Sequence, residues 1–379
     1  MTSHPDSKAD YLRSKIAAAG LLPPRRLTVA LTTECNLQCQ HCWLECPRVD
    51  QYPDRVRVEL LQKLLQEFVA LGGEELCLTG GEPLTHPDWL DLLSVCCAQP
   101  EINRVILQTN GTLLNEQTVR ALAGGVFHKL FFHVSLDGSS EATHDLVRGP
   151  GSLKRAMDGL RCLVAAGFGP KTTLAFTEMR HNFAEIPQLL EIAEHLGVAS
   201  VVGLPLIKSG CAEQSETALL PTREQYLALL ERFDSDDVFR ARYEKFGRFC
   251  AIEWMKGVST SVHSGCRFLE KPYVNAGGLL FPCALLQVNG FAGRGIYERS
   301  LAEVIMASLP LWSDLLQVSQ ARATGLACIE SCAGGQHCAG GCLARAYLPD
   351  RKLTAREDRC ELRQAIYSWC ARRKNPGEC

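Results

Sequence analysis

The stretch that decides the fold is LTVALTTECNLQCQHCWLEC, residues 27–46. Its first part, Leu27 to Thr33, is a short apolar and β-branched run of the kind that forms a buried strand. Directly after it, Cys35, Cys39 and Cys42 follow the spacing Cys-x-x-x-Cys-x-x-Cys, with Cys46 four residues further on. Three thiolates this close can wrap one small metal centre and leave one metal position for a ligand that is not protein. With Cys46 as a fourth ligand the segment would equally make a structural zinc site, and spacing alone leaves both readings open.

Outward from this stretch, short β-rich runs alternate with longer helical ones. The strands are expected at Leu27–Thr33, Glu75–Thr79, Arg104–Thr109, Leu130–Leu136, Thr172–Thr177 and Ser200–Leu204. Helical patterns lie between them at Val58–Leu71, Pro87–Cys97, Asn115–Leu122, Ser152–Ala166 and Glu185–Leu196. Strand then helix, repeated about six times, predicts an α/β fold with a parallel sheet and helices outside it. An open doubly wound sheet and an incomplete barrel both fit, and in either the chemistry belongs at the carboxyl ends of the strands. Residues 1–25 read as a polar N-terminal segment with one helix, Lys8 to Ala19. Residues 26–234 form the core domain, ending in a helix from Thr222 to Asp234. Residues 235–379 form a cysteine-rich domain with bridging and C-terminal helices, expected to hold few long periodic runs and to depend more on its cysteines than on a core.

Composition narrows the classes. The 379 residues suffice for a barrel-sized domain plus a smaller one, and 46% are hydrophobic, which excludes a wholly disordered chain. Lys and Arg number 40 against 42 Asp and Glu, a balance that argues against a nucleic-acid partner. The longest uncharged stretch, Pro272 to Gly293, is broken by prolines and glycines, so no membrane span is expected. The N-terminal residues are polar where a secretory signal would be apolar, which predicts a cytoplasmic chain. In that reducing compartment 19 cysteines point to metal or redox chemistry before disulfides.

A second motif shifts the balance between the two readings of the first. Gly80-Gly81-Glu82-Pro83 follows the second strand, where glycines permit close approach to a ligand and the carboxylate can grip a cation. The pair of motifs resembles the radical S-adenosylmethionine (SAM) superfamily. That resemblance implies a partial (β/α)6 radical SAM barrel in which Cys35, Cys39 and Cys42 hold a SAM-binding 4Fe-4S cluster. It implies reductive cleavage of SAM to methionine and a 5'-deoxyadenosyl radical that abstracts hydrogen from a substrate. By the same resemblance His41 packs near the adenine, while Gly81 and Glu82 meet the methionine amino group and Gly80 belongs to the same cofactor-binding loop. Asn110 ends strand three in a Thr-Asn-Gly turn. Ser135 and Asp137 belong to the Ser-Leu-Asp-Gly end of strand four, with Ser135 on the ribose or methionine part. Arg148, in HDLVRG, faces the SAM carboxylate.

The last third carries Cys266, Cys283, Cys328, Cys332, Cys338, Cys342 and Cys360. Thiolate-rich sites suit zinc or iron–sulfur centres. The layout resembles the SPASM extension of radical SAM enzymes, which carries two auxiliary 4Fe-4S clusters, although the first central pair is spaced by three residues instead of two. The resemblance assigns Cys328, Cys332, Cys338 and Cys360 to one cluster and Cys266, Cys283 and Cys342 to the other. Cys250, or an open iron, completes the second.

Members of that group mostly modify peptides, so a radical SAM oxidoreductase acting on a peptide or protein side chain ranks first. Ala284 stands after Cys283 where sulfatase-maturing members carry an acid, which lowers that activity. The segment Gly340 to Tyr347, GGCLARAY, resembles enzymes that alter tetrapyrrole side chains, so haem or another cofactor precursor ranks second. A non-enzymatic iron–sulfur electron carrier ranks last, because it leaves the strand-end motifs unexplained. The expected partners are a peptide or small-molecule substrate, an electron donor such as flavodoxin or ferredoxin, and a separate leader-peptide adaptor. The sequence identifies no catalytic side chain beyond the SAM machinery.

Overall fold

Among the described residues ten strands form one sheet, and the order in which they pair explains where the functional loops gather. The computed structural model describes residues 5–44, 54–258, 265–326, 328 and 330–373. Its first six strands are β1 (Arg26–Ala30), β2 (Glu75–Thr79), β3 (Arg104–Thr109), β4 (Leu130–Ser135), β5 (Thr172–Glu178) and β6 (Ser200–Pro205). The others are β7 (Gly247–Arg248), β8 (Tyr273–Val274), β9 (Leu279–Phe281) and β10 (Gly293–Arg294). The sheet order is β10-β9-β8-β1-β2-β3-β4-β5-β6-β7, and β1 to β6 are parallel and consecutive. Such winding is the partial α/β barrel that the family resemblance implies, one of the two arrangements the alternating pattern allows, with all six carboxyl ends on one rim.

Burial along the strands alternates more than their apolar sequences suggest. Leu27, Val29, Leu76, Leu78, Leu107, Phe132, Val134, Leu174 and Phe176 are buried under the outer helices. Thr28, Thr79, Gln108, His133 and Ser135 alternate with them on the opposite, half-buried face. Each outer helix supplies a matching stripe. In Val58–Ala70 the buried residues are Leu61, Leu64, Leu65 and Phe68, the spacing of one helical face.

The C-terminal part is built into this sheet. β8 pairs with β1 in parallel, Thr28 opposite Tyr273, and β7 pairs with β6. Both edges of the six-stranded core are thereby covered by strands from beyond residue 234.

One expectation is corrected here. The last third holds a long helix, Leu301–Gly325, that buries Leu301, Val304, Ile305, Leu309, Trp312, Leu315 and Leu316. Trp312 Nε1 donates to Phe291 O at 2.9 Å, and Ser313 Oγ donates to Ala19 O at 3.0 Å, just after the N-terminal helix Pro5–Ala18. This part therefore shares the main hydrophobic core of the barrel and does not depend on its cysteines alone. Pro310 and the polar residues near the helix end mask its period in the sequence. By length and composition this helix could cross a membrane, but 44% of the apolar window is buried against the protein.

A buried arginine is one of the contacts that fasten the extension to the barrel rim. Arg345, 1% exposed, donates to both carboxylate oxygens of Asp358 at 2.7 and 2.8 Å and to Leu206 O, just past β6, at 2.6 Å. Removing one partner of a buried ion pair costs about 3–5 kcal/mol, because the other charge is left uncompensated. Arg345→Met should lower the urea midpoint accordingly and make the chain after Leu206 newly sensitive to limited proteolysis. An unchanged midpoint and cleavage pattern would contradict this placement.

Candidate active site and cysteine sets

The loop after β1 carries Cys35, Cys39 and Cys42 over the rim of the barrel. Its position is set by backbone pairing with the β2 loop. Gly81 N donates to Thr32 O and Glu82 N to Glu34 O, both at 2.7 Å. A Cβ on Gly81 would stand 2.1 Å from Glu34 O, so no larger residue fits. The close approach that the two glycines permit is thus to the cysteine loop itself. Burial raises all three thiols, that of Cys35 to about 12, with the charges of Glu82 and the other two cysteines adding to the effect. Gathering three thiols where free thiolates are costly fits a cationic metal centre, whose binding would offset that cost. Among the described residues no group of three His, Cys, Asp or Glu is drawn together as around a single ion. A mononuclear zinc brings its sulfurs to roughly 3.8 Å from one another, given 2.3 Å Zn–S bonds in a tetrahedron. Cys46, the alternative zinc ligand, lies outside the described residues.

Beside this loop sits a fully buried acid. Asp137 Oδ2 accepts from Arg148 Nε at 2.6 Å and lies 3.0 Å from His41 Nε2, while Oδ1 accepts from Thr177 N at 2.6 Å. Burial alone would raise the Asp137 carboxyl, but Arg148 and His41 hold it well below the usual carboxylate range. Asp137 N donates to His144 Nδ1 at 3.1 Å, which puts the His144 proton on Nε2, buried and without a partner among the described residues. His41 Nδ1 is likewise buried and unpaired. Arg148 also directs Nη1 toward Cys39 Sγ at 4.0 Å. His41 and Arg148, expected at opposite ends of SAM, thus share one carboxylate.

Glu82, 1% exposed, is almost saturated by protein donors. Its Oε1 accepts from Thr109 Oγ1 at 2.7 Å and Leu84 N at 3.2 Å, and Oε2 accepts from Asn110 N at 2.7 Å. A carboxylate has about four acceptor sites, so one remains, on Oε2. Burial raises this carboxyl to about 6 despite those bonds. Asn110 Nδ2 donates to Asn36 Oδ1 at 2.9 Å, and Asn36 Nδ2 to Thr112 Oγ1 at 2.8 Å. Asn36 and Thr112 escaped the sequence reading, although Asn36 lies within the cysteine motif. Ser135 sits half-buried at the end of β4, and Gly80 adopts φ +150° against Thr32.

In the extension the structure gathers the thiols into two sets. Cys328, Cys332, Cys338 and Cys360 line one cavity, together with Glu357 and Tyr367. Cys283 lies within electrostatic reach of Cys342 and Cys266, and burial lifts its thiol to about 12.

Cys250 belongs to a different constellation. Its N–H donates to the fully buried Glu178 at 2.8 Å, Tyr226 OH donates to the same carboxylate at 2.7 Å, and Arg359 Nη1 approaches Cys250 Sγ at 3.9 Å. None of Glu178, Tyr226 and Arg359 was legible, since no spacing rule links them.

Residues 29–193 match the family model of the radical SAM superfamily. The chain carries a radical SAM core with the catalytic fold of those enzymes, followed by a cysteine-rich extension resembling the SPASM domain. It is 26% identical over 366 residues to the mycofactocin maturase MftC of Mycobacterium ulcerans, covering 90% of this chain and 89% of that protein. It is 28% identical over 281 residues to an AdoMet-dependent heme synthase of Methanosarcina barkeri, covering 70% of this chain and 78% of that protein. Streptococcus suis SuiB bound to the precursor peptide SuiA shares the fold with a TM-score of 0.70 at 18% identity, over 93% of this chain and 80% of that one. Native anSMEcpe with bound AdoMet does so at 0.71 and 15%, over 92% of this chain and 98% of that one.

The buried His144 gives a pH signature. Burial and the neighbouring Arg148 cation lower it from 6.5 to about 4, so the folded state resists its protonation. Its stabilising share is full above pH 6.5 and is lost as pH falls toward 4. Over that window the loss is about 3 kcal/mol. His144→Gln, which keeps an acceptor but does not titrate, should flatten the acid limb of the unfolding free energy relative to wild type. Equal slopes for the two proteins between pH 7 and 4 would contradict this.

Proposed function

We propose that this protein is a radical SAM enzyme with two auxiliary clusters that modifies a peptide or protein side chain. The observation that carries the reading is the convergence of the three-cysteine loop, the Glu82 clamp and the Asp137–Arg148 pair on one barrel rim. When bound, a 4Fe-4S cluster supplies the electron that cleaves SAM to methionine and a 5'-deoxyadenosyl radical. Cys35, Cys39 and Cys42 bind that cluster. The remaining acceptor site on Glu82 receives the SAM ammonium, with Gly80 and Gly81 beside it. Arg148 offers its unspent N–H groups to the carboxylate. His41, Asn110, Ser135 and Asp137 shape the rim around the rest of the cofactor.

Two features favour a peptide over a tetrapyrrole. The similarity to mycofactocin maturase runs through both the barrel and the cysteine-rich extension, over 90% of the chain. In GGCLARAY, Gly340 and Gly341 pack against Arg322 and Glu357, and Arg345 is committed to Asp358 and Leu206. The segment that suggested tetrapyrrole chemistry therefore serves packing. The heme-synthase relative still supports a cofactor precursor as the second reading. A flavodoxin or ferredoxin as reductant, a separate leader-binding adaptor and a cytoplasmic location complete the proposal.

Anaerobically reconstituted protein should hold about twelve irons per chain, as three clusters require. Replacing Cys35, Cys39 and Cys42 with alanine should abolish 5'-deoxyadenosine formation under dithionite while leaving about eight irons. Unchanged cleavage of SAM in the triple variant would overturn the assignment. Peptides encoded beside the gene should accelerate 5'-deoxyadenosine release, and acceleration by a tetrapyrrole precursor alone would favour the second reading.

A further inference from the structure

A buried ion pair, Glu357–Arg363, touches both cysteine sets of the extension. Glu357 is 4% exposed and lies on the wall of the cavity framed by Cys328, Cys332, Cys338 and Cys360. Its Oε2 accepts from the backbone N–H of Cys342, a member of the other set, at 2.8 Å. Its Oε1 is bonded to Arg363 Nε, and Arg363 lines the four-cysteine cavity and is felt by Cys338. The carboxylate therefore bonds directly to the three-cysteine set through the Cys342 amide and also borders the four-cysteine cavity, where the Arg363 guanidinium opposes its charge at Cys338.

The packing holds this arrangement in place. A Cβ on Gly341 would stand 2.7 Å from Glu357 Cδ, and Gly341 itself adopts φ +72°. Arg359 Nη2 stands 3.8 Å from Glu357 Oε2, and the guanidinium groups of Arg359 and Arg363 both lie over the Trp254 ring, at 4.6 and 4.1 Å. Neither charge has freedom to turn away.

Net charge and hydrogen bonds to ligand sulfurs are the levers that set an iron–sulfur potential. Glu357 acts on the three-cysteine set through both. It places a negative charge at Cys342, and it occupies a backbone N–H that would otherwise be free to donate to sulfur. Both effects disfavour the added electron. Arg363 acts on the four-cysteine set with the opposite sign. Arg322, held by Gly340 O at 2.7 Å and Ala355 O at 2.8 Å, is a fixed cation that does not depend on either residue.

We infer that the Glu357–Arg363 pair sets the difference in reduction potential between the two auxiliary centres, making the four-cysteine centre the easier one to reduce. The inference rests on the proposal that both sets hold iron–sulfur clusters. Both residues are positioning residues and touch no substrate in this account.

The test is a redox titration followed by electron paramagnetic resonance, on the full chain reconstituted in the Cys35, Cys39 and Cys42→Ala background. Glu357→Gln keeps the shape and should raise the potential of the three-cysteine centre. A tenfold change in its reduction equilibrium corresponds to about 59 mV for one electron. Arg363→Gln should lower the potential of the four-cysteine centre by a similar amount, and Glu357→Asp should restore the Glu357→Gln shift at least in part. Opposite signs in the two variants are what a loosened structure would not produce. Unchanged potentials with full iron content, or shifts of the same sign, overturn the inference. Should Glu357→Gln lose its clusters, the Arg363→Gln shift alone decides. Absence of iron from the extension of the parent protein would instead overturn the cluster proposal, and iron analysis separates that outcome from the others.

Discussion

Asp137 is a full charge in a place where an unpaired charge could not survive, and most of the rim depends on how it is compensated. Its carboxylate gathers Arg148 from the helix Glu141–Arg148, His41 from the cysteine loop and the Thr177 amide from β5. Its backbone N–H is taken by His144, and its carbonyl accepts from Asn182 Nδ2 at 3.0 Å. Removing Arg148 would leave buried charge behind and removing the others would leave buried polar groups unsatisfied, so four segments distant in sequence are held as one unit. His41 lies between Cys39 and Cys42, which means that the ion pair reaches into the loop that carries the thiols.

The same logic of buried charge recurs where the extension meets the barrel. Arg345 is tied to Asp358 and the backbone past β6, and Glu178 collects Tyr226 and Cys250 behind β5. Arg359 bridges from Cys250 toward Glu357, which in turn binds the Cys342 amide. Together with β7 and β8 on the two sheet edges, these contacts make the extension part of the barrel's own framework. Any reorganisation around the auxiliary cysteines would be transmitted to the carboxyl ends of β5 and β6 through packed, charged side chains.

Strand positions were legible because parallel strands are short apolar runs between glycine stops. β2 and β3 fall at the expected residues, and β1, β4, β5 and β6 differ by a few at their ends. The cysteine sets were legible from spacing and family resemblance. What could not be read were elements without a period or a local partner. The helix Leu301–Gly325 is apolar nearly all round and contains a proline, and half of the ten residues of Asp237–Phe246 are charged. Hydrogen-bond partners were also hidden. The sequence offers Glu82 as a free carboxylate, whereas folding spends it on Thr109, Leu84 and Asn110. Asn36, Glu178 and Glu357 matter only through residues tens of positions away or across a turn, and no pattern in one dimension joins them.

The most direct test of this account is the iron content and SAM response of Asp137→Asn. Asparagine matches the shape and can still accept from Thr177, but it leaves Arg148 and His41 without their counter-charge. After anaerobic reconstitution the variant should lose about four irons per chain, one cluster's worth, and the electron paramagnetic resonance signal that responds to added SAM. The auxiliary signals should remain. A variant with full iron and a wild-type response to SAM would mean that the buried carboxylate does not organise the cysteine loop, and the central claim would fail.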